Sequence, residues 1–544
     1  MSETDDARAV AAVLRRQGVA FAFGGVEPPE APLPGGLEEA GIPVVRTLHQ
    51  QTAVFAADGW ARVTRRPGVA LVGGRAGLPN AVTGIANAHA GGSPVVVIDD
   101  RRPSGDGQGA GARDGVDHRA MVRTVTRAGA TVGAAGLAAA LGWACEAANR
   151  PPRGPVLVEV DGSDGPAAPP AAPGVDPAGP DKAALEEIAE LLRQAERPVV
   201  VAGGSVYWSG AEAALRRFAE QLRLPVVMNG MGRGTLPADH ELALSRARPS
   251  ALRGADLVLV AGTPLDFRLG YGRFGPARVV HLCDDPSQIA THAEIAAAAA
   301  GDLGLILDRL AELGRGNPDT AAWTDGLRDE EAELRQSEEA EFQRAERAET
   351  GDGGASMAPL RAPRLYRELR RWLERDAIVI GDGGDFVSYA GRFVDTFTPG
   401  CFLDPGPYGC LGIGLGYAIG ARLAHPGRQV VVLLGDGAAG FSLMELETMV
   451  RHGLPAVLIV GNNDGWGLEK EHMQALFGYH VVAELAPGTR YDEVARSLGG
   501  HGELVREAAE LGPALERAFS SKTAALVNVA LDPADAYPRS TVLA

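Results

Sequence analysis

Oxygen-bearing side chains follow two consecutive apolar runs in the last third of the chain. One run ends in Gly-Asp-Gly at 435–437, and the next is followed by Asn-Asn at 462–463. Because open parallel sheets bind ligands beyond the carboxyl ends of their strands, Asp436 and Asn463 should meet at one sheet edge. Their oxygens and the carbonyl of Gly465 suit Mg²⁺, which also keeps phosphate and water in its octahedral shell. We therefore predict Asp436, Asn463 and Gly465 as metal ligands.

The glycines around Asp436 fit the same chemistry. Gly435 and Gly437 let the backbone approach a diphosphate, and the N-terminus of the following helix favours an anion. A purely structural strand–helix–strand unit with glycine turns is the alternative. Either half of the pattern alone would favour that alternative, whereas both halves together favour a metal–diphosphate site. On its apolar face the helix is expected to carry Phe441 and Met444, among others.

Strand-like apolar runs alternate with helix-length segments along most of the chain, which indicates an α/β protein with parallel sheets. We predict three consecutive doubly wound domains, at 1–163, 182–314 and 357–544. The Pro- and Gly-rich segment 164–181 is a predicted linker. The charged segment 315–356 is a second linker, and its Glu/Arg spacing predicts a solvated helix.

Composition excludes several classes of partner. The chain has 544 residues, 45% of them hydrophobic, and a net charge of −17, which argues against nucleic acid or an anionic membrane surface. No run of about 18 apolar residues is present, so no membrane span is expected. The four cysteines are scattered and the N-terminus does not resemble a secretory signal, so we expect a cytoplasmic protein without a disulfide framework or a zinc site.

The segment 429–467 resembles the thiamine diphosphate (ThDP) signature of the pyruvate decarboxylase and acetolactate synthase superfamily. "RTLHQQTAVFAADGWARVTRRPGVALV" (46–72) is similar to its pyrimidine-binding domain, and "PGPYGCLGIGLGYAIGARLAHPGRQ" (405–429) to the approach to its diphosphate motif. "NNDGWGLEKEHMQALFGY" and "DPADAYPRS" resemble acetolactate-synthase-like proteins near the 2-hydroxyacyl-CoA lyase and oxalyl-CoA decarboxylase branch. The resemblance implies pyrimidine-binding, middle and diphosphate-binding domains, bound ThDP and Mg²⁺, and a homodimer or homotetramer with active sites between subunits.

The resemblance also implies roles for individual residues. Leu411 matches the apolar residue that holds ThDP in its bent shape, and the carbonyl of Gly409 matches the partner of the 4′-amino group. Gly384 and Asp385 lie where relatives contact the diphosphate, although their side chains differ from the usual ones. The full implied cofactor-binding set is Gln50, Asn80, Gly384, Asp385, Gly409, Leu411, Gly435, Asp436, Gly437, Ala438, Ala439, Asn463, Gly465, Trp466 and Gly467.

Gln50 stands where most relatives have a glutamate that hydrogen-bonds N1′ of the pyrimidine and promotes loss of the C2 proton. A glutamine keeps the shape and one hydrogen bond but not the charge. Charge-assisted hydrogen bonds contribute about 1.5–3 kcal/mol against about 1 kcal/mol for neutral ones, so we expect activation to be slower by roughly one to two decades. The chain is therefore expected to be slow rather than inactive.

Three further segments depart from the family pattern in the pyrimidine-binding domain, namely "FGGVEPPE" (23–30), "GGRAGLPN" (73–80) and "GARDGVDH" (111–118). Arg75 and Arg113 could supply positive charge for an anionic substrate, or could be solvated surface residues. His118 could shuttle protons, as could His49, or either could be structural. The predicted catalytic residues are thus Gln50, Arg75, Arg113 and His118.

The leading expectation is an enzyme that decarboxylates a 2-oxo acid and joins the product to an acceptor. Cleavage of a 2-hydroxyacyl thioester is the second candidate, and a ThDP-binding protein with little turnover, regulatory or structural, is the alternative of another class. FAD is not expected, because the middle segment is shorter than flavin-binding versions. ADP or the adenine part of CoA could bind there, near Arg268 and Arg273.

Overall fold

The computed structural model contains three six-stranded sheets, and all strand pairs within the sheets run parallel. This confirms the predicted α/β fold with three consecutive parallel-sheet domains; the exact domain boundaries stay predictions. The structure describes residues 3–24, 32–74, 76–100, 116–160, 179–314, 320–350, 360–535 and 537. No helix in this described part is long and apolar enough to cross a membrane.

The first domain is built around a parallel sheet. Its central strands are buried on both faces, as expected when helices cover both sides of such a sheet. Its strands are β1 (Ala22–Gly24), β2 (Val44–Arg46), β3 (Gly68–Leu71), β4 (Val95–Asp100), β5 (Ala128–Val132) and β6 (Val156–Val160). Its helices are α1 (Glu3–Arg16), α2 (Pro32–Glu39), α3 (Gln50–Thr64), α4 (Gly77–Ala90), α5 (His118–Val122) and α6 (Leu137–Asn149). The strand order is β2-β1-β3-β4-β6-β5.

The middle domain has a different strand order, β12-β11-β10-β7-β8-β9, in which the order reverses between β7 and β10. Its strands are β7 (Pro198–Ala202), β8 (Val226–Met228), β9 (Ala243–Leu244), β10 (Leu257–Ala261), β11 (Arg278–Cys283) and β12 (Ala297–Ala300). Its helices are α7 (Lys182–Gln194), α8 (Gly204–Trp208), α9 (Glu212–Leu222), α10 (Arg248–Gly254) and α11 (Leu303–Leu313). Nucleotides bind many sheets of this order at the reversal point.

The third domain repeats the topology of the first, with the order β14-β13-β15-β16-β18-β17. Its strands are β13 (Ile378–Asp382), β14 (Phe402–Leu403), β15 (Val430–Gly435), β16 (Val457–Asn462), β17 (His501–Val505) and β18 (Ala525–Ala530). After the linker helix α12 (Thr320–Thr350), its helices are α13 (Ala362–Leu369), α14 (Asp385–Phe393), α15 (Ile413–Ala424), α16 (Asp436–Ser442), α17 (Leu446–Arg451), α18 (Gly467–Phe477), α19 (Tyr491–Ser497) and α20 (Ala508–Ser520).

The 31-residue helix α12 ties the middle domain to the third domain. Glu331 accepts hydrogen bonds from the backbone N–H of Arg246 (2.7 Å) and of Ala247 (2.9 Å). One turn further, Arg335 pairs with Asp395 of the third domain at 2.9 Å. The sequence predicts a solvated helix here, but Glu331 is buried. Its carboxylate faces the middle domain, where the backbone N–H groups of Arg246 and Ala247 surround it.

Helix α3 of the first domain packs closely against α15 of the third, and glycines make this approach possible. A Cβ atom on Gly420 would lie 2.2 Å from the carbonyl oxygen of Ala56, and one on Gly416 would lie 2.4 Å from the Cβ of Phe55. A Cβ on Gly59, from the opposite helix, would lie 2.6 Å from the Cα of Tyr417. A side chain at any of these three positions would force the helices apart.

A buried polar network fixes the same pair of helices. Asp58 and Arg62 form an ion pair with a 2.8 Å Nε–Oδ1 distance, and both side chains are almost completely buried. The Tyr417 hydroxyl donates to the Asp58 carboxylate at 2.6 Å and accepts from the Asn87 amide at 2.8 Å. Since a buried ion pair is stable only when its remaining polar atoms are bonded, the network specifies how α3 sits on α15.

We predict that Gly420→Ala lowers the thermal unfolding midpoint by several degrees, because overpacking a core typically costs about 1–3 kcal/mol. Differential scanning calorimetry would measure the shift. Gly427→Ala is the matched control, since a Cβ on the exposed Gly427 meets no atom within 4 Å. Equal midpoints for the two variants would contradict the close packing of α3 on α15.

Candidate functional site

A cavity of about 250 Å³ lies at the carboxyl ends of β13, β15 and β16. Among the residues that the structure describes, all of those lining it belong to the third domain: Gly383, Gly384, Asp385, Phe386, Pro405, Gly409, Leu411, Gly435, Asp436, Gly437, Ala438, Gly461, Asn463, Gly465, Trp466, Gly467, Leu468 and Glu469. Strands β15 and β16 pair in parallel, with Gly435 opposite Gly461, so the Asp436 and Asn463 segments leave the sheet side by side.

Three helices begin at this cavity. The first residues of α14, α16 and α18 are Asp385, Asp436 and Gly467, and all three line the cavity wall. The N-cap residues of these helices, Gly384, Gly435 and Trp466, form no side-chain cap, although Asp436 itself accepts the N–H of Gly437. Because the first backbone N–H groups of a helix need acceptors and carry partial positive charge, three such ends around one cavity form a strong anion cradle.

Asp436 is a buried carboxylate at the centre of this cradle. Its Oδ1 accepts the N–H of Gly437 at 2.8 Å, and its Oδ2 accepts the N–H of Gly465 at 3.0 Å. Burial raises the pKa of Asp436 to about 6, although these two hydrogen bonds act to lower it. A buried carboxylate of this kind gains from a nearby cation, because a positive charge compensates for the lost hydration.

The loop that carries Asn463 and Gly465 is held in an unusual backbone conformation. Asp464 has a φ of 58°, in the left-handed region, and its carboxylate accepts the N–H of Gly488 at 2.8 Å. The N–H of Trp466 donates to the carbonyl of Ala483 at 2.7 Å. The segment that follows α18 therefore holds this loop in place. A rigid loop suits Mg²⁺, because that ion requires its oxygen ligands in a nearly ideal octahedral arrangement.

The residues present fit a diphosphate with a divalent cation. A Cβ on Gly435 would meet no atom within 4 Å, so the backbone there is open, whereas the 2.6 Å distance from a Cβ on Gly437 to the Trp466 ring shows that only glycine lets the two segments pack this closely. In the described part of the chain, no cluster of three His, Cys, Asp or Glu side chains could hold a metal alone. One carboxylate, one amide and one carbonyl therefore match an ion that takes its other ligands from phosphate and water.

The wall opposite Asp436 is formed by Gly409 and Leu411, at the entrance to α15. Gly409 has a φ of 69°, a conformation that favours glycine. Just beyond Leu411, the buried carboxylate of Asp382 accepts the N–H groups of Gly412 (3.0 Å) and Gly414 (2.8 Å). Burial raises the pKa of Asp382 to about 7. Asp382 therefore fixes the turn that presents Leu411, a role that the sequence reading missed.

Gln50 lies elsewhere. It is the first residue of α3, and its Oε1 accepts a hydrogen bond from the Asn80 amide at 3.1 Å. His49 caps the helix by accepting the N–H of Gln51. Gln50 and Asn80 are at least partly exposed and do not line the cavity of their own chain. Gln50 and Asn80 thus form one polar patch on the surface of the first domain.

The other predicted residues occupy different surroundings. His118 is fully buried, and its Nδ1 lies 2.8 Å from a carboxylate oxygen of Asp99. Its catalytic role stays a prediction. Ala439 packs in the hydrophobic core rather than in the cavity wall. Arg75 and Arg113 lie outside the described residues, as do residues 25–30 and 111–115 of the first and third departing segments.

A second cavity, of about 370 Å³, lies where the first and middle domains meet the third. Arg127 and Arg153 line it from the first domain, and Arg268 and Asp284 from the middle domain. Arg153 pairs with Asp284 at 2.7 Å. Arg273, which the sequence places near the same ligand, lines a separate surface groove instead.

Comparison with known proteins supports one family along the whole chain. Residues 5–121, 185–310 and 382–529 match models of the N-terminal TPP binding, central and C-terminal TPP binding domains of thiamine pyrophosphate enzymes. The chain is 48% identical over 519 residues to acetolactate synthase large subunit IlvG of Mycobacterium tuberculosis, covering 94% of this chain and 92% of that protein. It is 33% identical over 545 residues to 2-hydroxyacyl-CoA lyase 2 of Homo sapiens, covering 91% and 84%. The Caenorhabditis elegans protein of that name is 32% identical over 561 residues, covering 93% and 86%.

We predict that Asp436→Ala weakens Mg²⁺-dependent binding of ThDP by more than about 100-fold, since even an outer-shell partner of a metal is typically worth 10–100-fold. Isothermal titration with and without Mg²⁺ would measure the change. Glu447→Ala is the control, because Glu447 lies on α17, pairs with the exposed Arg451 and does not line the cavity. Mg²⁺-dependent binding that survives Asp436→Ala would show that the metal ligand is misassigned.

Proposed function

The chain belongs to the thiamine pyrophosphate enzyme family, and from this premise we propose that it decarboxylates a 2-oxo acid and joins the resulting fragment to an acceptor carbonyl, as an acetolactate synthase does. The observation that carries the proposal is the cradle of three helix N-termini around Asp436, together with 48% identity to a protein of that name. Cleavage of 2-hydroxyacyl-CoA is the second candidate, favoured by the 33% identity to 2-hydroxyacyl-CoA lyase 2.

In this proposal the third domain holds ThDP through its diphosphate. The helix N-termini at Asp385, Asp436 and Gly467 bind the phosphate oxygens, and Asp436, Asn463 and the Gly465 carbonyl bind Mg²⁺. Leu411 supports the bend of the cofactor. When bound, ThDP supplies a carbon nucleophile at C2 of its thiazolium ring. The protein's part is to position that ring, exclude water and assist loss of the C2 proton.

The proposed enzyme is a homodimer or a homotetramer. Gln50 does not line the cavity of its own chain, and in this proposal a second copy brings its first domain to that cavity. The sequence predicts Phe441 and Met444 on the apolar face of the helix, yet they are 61% and 56% exposed beside the cavity in the single chain. Leu476, Phe477, Tyr479 and Val482, at the end of α18 and just after it, are exposed as well. An exposed apolar surface of this extent fits a subunit interface.

Gln50 would meet N1′ of the pyrimidine as an amide. Since an amide cannot take up or release a proton at neutral pH, it holds the pyrimidine without the charge that a glutamate would contribute. Asn80 orients that amide through its 3.1 Å hydrogen bond to Oε1. This arrangement supports a slow but functional site, in which Gln50 and Asn80 would hold the pyrimidine without assisting proton transfer by charge.

We predict that Gln50→Glu accelerates hydrogen–deuterium exchange at C2 of bound ThDP by about tenfold, since a charge-assisted hydrogen bond replaces a neutral one. Proton NMR of quenched samples would measure the rate. Incubation with 2-oxo acids, followed by product analysis, would identify the reaction. A wild-type exchange rate no faster than that of free ThDP would refute the proposed function, and release of an aldehyde and formyl-CoA from a 2-hydroxyacyl-CoA without carboligation would favour the second candidate.

We further propose that the cavity between domains binds ADP or the ADP part of CoA. It lies at the carboxyl ends of β7 and β10, where the strand order of the middle sheet reverses. Arg127, Arg153 and Arg268 line this cavity and supply positive charge for a phosphate, although Arg153 also pairs with Asp284 and Arg268 with Asp266. A cavity of about 370 Å³ favours ADP over FAD, which adds a flavin to the same nucleotide.

We predict that Arg268→Ala weakens ADP binding by about tenfold, the value of one charge-assisted hydrogen bond. Arg273→Ala should leave it unchanged, because Arg273 lines a separate groove. Titration calorimetry with ADP, CoA and FAD would measure the affinities. Similar losses for both variants, or tighter binding of FAD than of ADP, would overturn this assignment.

A further inference from the structure

Glu445 connects the third domain to the first domain, a contact that the sequence analysis did not predict. It ends the 3₁₀ turn Leu443–Glu445 that follows α16, and it is only 3% exposed. Its Oε1 accepts the backbone N–H groups of Leu48 (3.1 Å) and His49 (3.0 Å) in the first domain. Its Oε2 accepts the N–H of Leu48 at 3.1 Å and the hydroxyl of Thr448 at 2.7 Å.

These hydrogen bonds lie at the N-terminus of α3. His49 is the N-cap of that helix and Gln50 is its first residue. The carboxylate therefore satisfies two backbone donors immediately before the helix and lies at the positive end of the helix dipole. Charge-assisted hydrogen bonds to backbone N–H groups are stronger than neutral ones, and burial strengthens them further. The contact thus fixes the backbone that enters Gln50.

We infer that Glu445 is a positioning residue for Gln50. Glu445 does not line the cofactor cavity, so it acts through the backbone of Leu48 and His49 and not by touching the cofactor. Asn80 orients the side-chain amide of Gln50 through a hydrogen bond. Glu445 fixes the position of the backbone from which that side chain extends. This role rests on the proposed function, because it matters only if Gln50 assists the chemistry at C2.

In the proposed dimer the same contact would lie between two active sites. Glu445 is reached from Asp436 through α16 and one 3₁₀ turn of a single chain. In the proposed dimer Asp436 holds the cofactor of one site, whereas Gln50 of the same chain serves the other site. The short path from Asp436 through Glu445 to Gln50 therefore links the diphosphate end of one site to the pyrimidine end of its twin.

A double-mutant cycle tests the inference. We expect Glu445→Gln to slow C2 exchange of bound ThDP by about tenfold while the Kd of ThDP changes by less than about threefold, because the charge is lost but the diphosphate cradle is intact. Glu445→Asp keeps the charge and should recover part of the rate. In a Gln50→Ala background, Glu445→Gln should have almost no further effect. Equal slowing in both backgrounds would overturn the positioning role and leave Glu445 as a purely structural contact.

Backbone exchange gives a readout that does not depend on activity. Mass spectrometry should show faster deuterium uptake at the Leu48–His49 peptide in Glu445→Ala, with α15 unchanged. Glu516→Gln is the control, because Glu516 is an exposed carboxylate on α20 of the same domain. Unchanged uptake at Leu48–His49 in Glu445→Ala would overturn the inference. C2 exchange that is no faster in the wild type than in free ThDP would instead refute the proposed function, together with the role that rests on it.

Discussion

The close contact between α3 and α15 determines much of what this chain can do. Glycines at 59, 416 and 420 let the two helices approach until backbone meets backbone, and the buried Asp58–Arg62 pair with Tyr417 fixes their register. Because overpacking a site of this kind forces whole elements apart, the contact permits little adjustment. The first and third domains of one chain are therefore held in one relative orientation, and every polar group on them is placed accordingly.

That orientation separates the two halves of the proposed catalytic site within one chain. The backbone just before α3 is bonded to Glu445, and Gln50, the first residue of α3, does not line the cavity that begins at Asp436. The cavity in turn is left with an exposed apolar border, including Phe441. A second copy related by twofold symmetry would satisfy both features at once, since each first domain could then cover the partner's cavity.

The sequence allowed the prediction of the α/β fold, the ThDP family and the edge of the sheet at which Asp436 and Asn463 meet, because strand period and strand–helix alternation are local signals. The Glu445 contact was not predictable, since Leu48 and Glu445 are nearly 400 residues apart and only the folded domains bring them together. The one available signal was a carboxylate among the apolar residues of "FSLMEL". The sequence left His118 as either a proton shuttle or a structural residue, and the fold encloses it with Asp99 in the first domain. Arg273 was grouped with Arg268 by proximity in sequence, although a sharp loop sends the two side chains to different cavities.

Subunit complementation tests the central claim, that Gln50 of one copy completes the cavity of another, most directly. Gln50→Ala and Asp436→Ala chains would be purified separately, mixed, and allowed to exchange subunits before C2 exchange of ThDP is measured. The account predicts that the mixture regains roughly a quarter of the wild-type rate, because half of the dimers would be hybrids with one intact site each. A rate no higher than the average of the two separate variants would contradict it, since each site would then be built from a single chain.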